Sequence, residues 1–87
     1  MFELRVNGED NGKRMDNVAT KNLVHLKPEL EISRNLIQRM IEQGEILLNG
    51  KIVKVSHKVK TDDVIKINLE KLEKETFAER NNKIPKP

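Results

Sequence analysis

Cysteine, tryptophan and tyrosine are absent from this sequence, and aromatic side chains are reduced to Phe2 and Phe77. Without cysteine there is no disulfide scaffold, no thiol catalysis and no thiolate zinc site. Without aromatics there is almost no platform on which unpaired bases would stack, which argues against readers of single-stranded RNA. Long apolar runs are also missing. The longest is Ile46-Leu47-Leu48, far short of a membrane span. The opening Met1-Phe2-Glu3-Leu4-Arg5 lacks the apolar stretch of a signal peptide, so the expected compartment is the cytoplasm and no membrane partner is expected. Enzyme signatures are equally scarce. There is no nucleophile with a partnered base, no phosphate-cradling glycine loop and no carboxylate pair in an evident pocket. His25 and His57 stand alone, without ligand-spaced carboxylates. No catalytic residue, metal ligand, cofactor or small-molecule substrate is therefore assigned.

What is present is charge, unevenly spread. Lys and Arg number 17 against 14 Asp and Glu over 87 residues, enough for one domain. The first 32 residues carry five basic and six acidic side chains, and residues 61–87 carry six of each. Between them, residues 33–60 hold six basic (Arg34, Arg39, Lys51, Lys54, Lys58, Lys60) and two acidic (Glu42, Glu45). The excess lies in the middle third, which is either a patch for a polyanion or an ordinary solvated face.

Periodicity supplies the elements. Phe2, Leu4 and Val6 alternate with polar residues and predict a leading strand over 2–7. Met15, Val18, Ala19, Asn22, Leu23 and Leu26 follow helical spacing, Asp16 suits the helix start, and Pro28 ends the run. A second helix opens after Ser33, a plausible N-cap, carries the apolar stripe Leu36, Ile37, Met40 and Ile41, and stops at Gly44. Ile46–Leu48 predicts a strand, Asn49-Gly50 a tight turn, and Lys51-Ile52-Val53 a returning strand. A last strand is predicted over Val64 to Leu69, after a turn at Thr61-Asp62-Asp63. From Glu70 the pattern fades. Residues 70–87 read as a charged linker or disordered tail, with a loosely anchored helix over Glu70 to Arg80 as the competing reading.

Arg14 and Asp16, then Ser33-Arg34, Gly44, Asn49-Gly50-Lys51 and Asp63 occur in an order that resembles the S4 RNA-binding domain, named after ribosomal small-subunit protein four. The resemblance covers about 13–69. One departure is Asp62, where the family has glycine. Asp tolerates a left-handed backbone better than most residues, so the turn survives. The resemblance implies an α+β fold, two helices packed on a small, mainly antiparallel sheet, with residues 1–69 as the RNA-binding domain. It also implies binding of structured RNA through phosphates, and the chain is expected to act as a monomer. The opening turn of the second helix, with its free amides and positive dipole end, suits a phosphate. The candidate RNA-binding residues are Arg14, Ser33, Arg34, Gln38, Arg39, Asn49, Lys51, Lys54 and Lys58. Each has a plainer alternative: Arg34 as partner of Asp16, Ser33 as a cap, Asn49 as a turn former, and Gln38 and Arg39 as solvated surface. Lys21 reads as solvent-facing. The leading strand and the tail further resemble the N-terminal part of pseudouridine synthases acting on large-subunit ribosomal RNA. In that family a catalytic domain follows, which would make this module part of an isomerase for rRNA processing. A free-standing ribosome-associated protein, or a protein-interaction domain using the same basic face, are the alternatives.

Overall fold

Alternation of apolar and polar residues produces the sheet, and helical stripes cover one side of it. A computed structural model describes residues 2–82, with side chains through 76. The elements are β1 (Phe2–Arg5), a 3-10 turn (Gly8–Asp10), α1 (Met15–Leu26), α2 (Arg34–Glu42), β2 (Ile46–Leu48), β3 (Val64–Ile67) and α3 (Leu69–Asn82). The sheet order is β1-β3-β2, antiparallel throughout. Its register aligns Phe2 with Ile67 and Ile46, and Leu4 with Ile65 and Leu48. Because strand side chains alternate, these six share the face that meets the helices. Against them pack Met15, Val18, Ala19 and Leu23 of α1 and Leu36, Ile37, Met40 and Ile41 of α2, all buried. This is the α+β architecture expected, with a third helix added. No helix among the described residues is long and apolar enough to cross a membrane.

α2 begins and ends on local chemistry. The Ser33 hydroxyl accepts from the Leu36 amide at 3.1 Å. At the other end Gly44, at φ +81, lets its own amide reach the Ile41 carbonyl and the Glu45 amide reach that of Met40. These are the paired bonds of a Schellman motif. The Asn49-Gly50 turn forms as predicted, with both residues at positive φ and Leu48 and Lys51 exchanging backbone bonds at 2.9 and 3.0 Å.

Three sequence expectations are corrected. The returning strand over Lys51-Ile52-Val53 shrinks to a single bridge at Lys51, because β3 pairs with β2 along Ile46–Leu48. The chain then leaves the sheet, with Ile52 64% exposed. The strands at both ends are shorter than predicted: β1 stops at Arg5, and Leu69 belongs to α3. Finally, the stretch from Glu70 follows the competing helical reading and is helix as far as Asn82; the remainder of the predicted tail, 83–87, lies outside the described residues. Asn68 starts α3 by accepting from the Lys71 amide at 3.1 Å. Leu72 enters the core with no exposure, and Lys71–Glu75 and Glu70–Lys74 pair one turn apart. One fully buried leucine and a side-chain cap anchor what a charged composition argued against.

Candidate functional site

Asp16 is the organising residue of the site. It sits in the first turn of α1 with no exposure, and three candidate residues converge on it. Arg14, immediately before the helix, donates from Nη2 to Oδ2 at 3.2 Å, and its Nε lies 3.2 Å from Oδ1. Arg34, at the start of α2, approaches Oδ2 at 3.7 Å. Gln38, one turn further along α2, donates to Oδ2 at 2.7 Å. The Asn17 amide donates to Oδ1 at 2.8 Å. Burial pushes the Asp16 carboxyl up, but the Gln38 and Asn17 hydrogen bonds and the Arg14 and Arg34 charges outweigh it, so it is held below the ordinary value. The carboxylate stays ionised and holds the inner edges of two guanidinium groups whose side chains remain 40% and 53% exposed. Arg34 thus pairs with Asp16 and still faces solvent; the two readings of this residue are compatible.

The loop after the hairpin completes this neighbourhood. α1 has no side-chain cap. Its orphan amides are taken by backbone carbonyls instead: Met15 N–H donates to His57 at 2.7 Å and Asp16 N–H to Val55 at 3.1 Å. Immediately after His57, Lys58 bridges to Arg14. Lys58 is therefore brought beside Arg14. Lys54 opens the turn closed by the His57 amide on the Lys54 carbonyl at 3.0 Å. Together with Ile52, Val53, Val55, Ser56, His57 and Glu42 of α2, it lines an open groove of about 740 Å³.

The other candidates divide. Ser33 acts as the α2 cap, and a hydroxyl that accepts still has its hydrogen to donate. Arg39 is exposed in the last turn of α2, where a cation also suits the helix dipole. Asn49 and Lys51 belong to the hairpin. There the Asn49 amide nitrogen donates to Asp63 at 3.0 Å, and its oxygen accepts from the Val64 amide at 3.0 Å. Its side chain is spent on the turn. The Asn49 bond and that of the Lys60 amide hold the Asp63 carboxyl below its ordinary value. Asp62, where the resemblance has glycine, sits at φ +73, so the turn survives the departure.

Lys21 is not merely solvent-facing. Its ammonium pairs with Asp10, a buried carboxylate also reached by Lys13 at 3.9 Å and Asn22 at 3.4 Å. Eleven residues separate Asp10 from Lys21, across a 3-10 turn and a helix start, and no sequence periodicity pairs them.

The fold and site together define a small α+β domain that displays arginines at the opening of its second helix. Residues 29–65 match the family model of the S4 domain. The match, over less than half the chain, supports an S4-type RNA-binding domain. It contains α2, the hairpin and the loop, hence every candidate residue except Arg14, whose place in the site comes from Asp16 and Lys58. No curated protein matches the chain.

Proposed function

We propose that this domain binds structured RNA, ribosomal RNA in the first instance, by gripping phosphates with Arg14, Arg34, Arg39, Lys54 and Lys58. The observation that carries this reading is the convergence of Arg14, Arg34 and Gln38 on one buried carboxylate. It pre-orients two guanidinium groups, which bind phosphate through paired donors. Order imposed before binding reduces the side-chain entropy lost on contact. Ser33 and the opening amides of α2 extend the same anion-favouring end. Lys51 contributes from the hairpin, with Asn49 fixing the turn that presents it. The scarcity of aromatics leaves shape and backbone charge as the main determinants.

The module serves, in this reading, as the N-terminal targeting domain of a pseudouridine synthase in the cytoplasm and acts as a monomer. That narrower assignment is supported by the resemblance of the leading strand and charged tail to that enzyme family.

Titration of a ribosomal RNA hairpin at several salt concentrations tests the binding. Affinity should fall on a log–log plot with a slope of about 0.7 to 0.9 per phosphate neutralised. Undetectable binding at low salt would instead favour an acidic protein partner for the same face.

A further inference from the structure

Arg34, Gln38 and Glu42 stand four residues apart on α2, so they form one row along the helix, about 12 Å long. The first two reach Asp16. The third lines the groove beside loop 52–57. The groove is therefore the continuation of the arginine cluster along α2. Two backbone bonds, from Asp16 to Val55 and from Met15 to His57, tie its wall to the same helix start that carries Asp16.

The chemistry of this groove is unlike that of the cluster. Part of its lining is aliphatic: Val53 and Val55 are half-buried, and Ile52 is 64% exposed, the most exposed of the large apolar side chains among the described residues. The rest of the lining carries hydrogen-bonding groups, the Ser56 hydroxyl, the His57 imidazole, the Lys54 ammonium and the Glu42 carboxylate. A flat apolar body with a polar edge fits such a slot, and a carboxylate accepts hydrogen bonds from amino groups on base edges. Phosphates alone would leave the aliphatic lining and the carboxylate unused.

We propose that the groove receives one unpaired nucleobase of the RNA whose phosphates lie on Arg14 and Arg34. The base rests on Ile52, Val53 and Val55, and its edge meets Glu42. Adenine, cytosine and guanine, which offer an amino group, are preferred over uracil. Lys54 and Lys58 neutralise the adjoining backbone. This inference rests on the RNA-binding reading and adds a base-sensing element to a surface otherwise dependent on shape and charge.

The test compares a fully paired hairpin with the same hairpin carrying one unpaired adenine, and with one carrying an unpaired uracil, using the whole 87-residue chain. The unpaired adenine should bind about tenfold tighter than the paired stem, and the uracil should show a smaller gain. Ile52→Ser should remove the gain from either unpaired base and leave affinity for the paired stem unchanged. Glu42→Leu, which loses both the acceptor and a negative charge, should raise affinity for all three hairpins while abolishing the preference for adenine over uracil; both variants should leave the melting temperature unchanged. Both positions are exposed, so the variants fold. Equal wild-type affinity for all three hairpins would overturn the groove while leaving phosphate binding in place, as would variants that weaken all three alike. Failure of every hairpin to bind would remove both readings.

Discussion

The Gln38 amide donates to Asp16 at 2.7 Å across 22 residues of sequence, joining α2 to the start of α1 through a carboxylate that two arginines share. This bond makes the arrangement of the two helices and the arrangement of the cationic cluster the same structural fact.

Asp16→Asn separates anchoring from charge. The variant gains one unit of net positive charge, which by long-range attraction alone would tighten RNA binding. Loss of the shared anchor should instead weaken it by about fivefold, the worth of one ordinary hydrogen bond of about 1 kcal/mol. Stability should fall by about 1–3 kcal/mol in a denaturant titration, because hydrogen bonds to a buried charge are lost. Tighter binding would mean that Asp16 only subtracts charge.

Arg34→Ala and Arg39→Ala should each lower RNA affinity and reduce the salt slope by about 0.7 to 0.9, one phosphate contact apiece. Their circular dichroism should match that of the parent, since both side chains are exposed. A slope unchanged in both variants would move the RNA off α2.

Acid should destabilise the domain through Asp10, Asp16 and Asp63, whose carboxyls are all held below the ordinary value of 3.8. At Asp10 burial opposes the shift, but bonds from Lys21 and Asn22 and the Lys21 and Lys13 charges prevail. A depressed folded value means that the stabilisation is complete above the unfolded value and is lost as pH falls through the folded one. Melting temperature should therefore hold near neutrality and drop below about pH 4. Asp16→Asn should flatten part of that drop.

Asp62→Gly should stabilise the turn at φ +73 by about 0.5–1 kcal/mol, since glycine enters the left-handed region without the side-chain clash. Gly44→Ala should act oppositely. At φ +81 its new methyl would also meet Ile52 Cδ1 at 3.1 Å, a cost of about 1–2 kcal/mol. Thermal melts of the two single variants decide both signs.

Leu72→Ala should cost about 2–4 kcal/mol, because α3 docks through a leucine with no exposure. A loss near zero would return this segment to the status of a linker.

Local signals account for what was legible in the sequence. α2 could be read from end to end because Ser33, the Leu36–Ile41 stripe and Gly44 each act within one turn of their own position. The Asn49-Gly50 turn was equally local. The start of loop 52–57, at Ile52 and Val53, was misread as a returning strand because the order of this loop comes from α1 amides some forty residues away. α3 ranks only second, behind a linker, because its stability is tertiary: a charged sequence with few apolar residues gains a helix once Leu72 finds the core. Of the candidate site, the arginines were visible as residue types. Their common anchor was visible only as a pairing of Asp16 with Arg34, without Gln38 or Arg14, since the contacts span two helices.

Loop 52–57 also shows how an irregular segment acquires order. It contributes no rung to the sheet, yet its carbonyls close the opening turn of α1 in place of a capping side chain. A helix that borrows its lid from a distant peptide makes that peptide indispensable. Lengthening the loop by a residue would therefore be felt first as fraying at Met15, on the far side of the connection from the insertion itself.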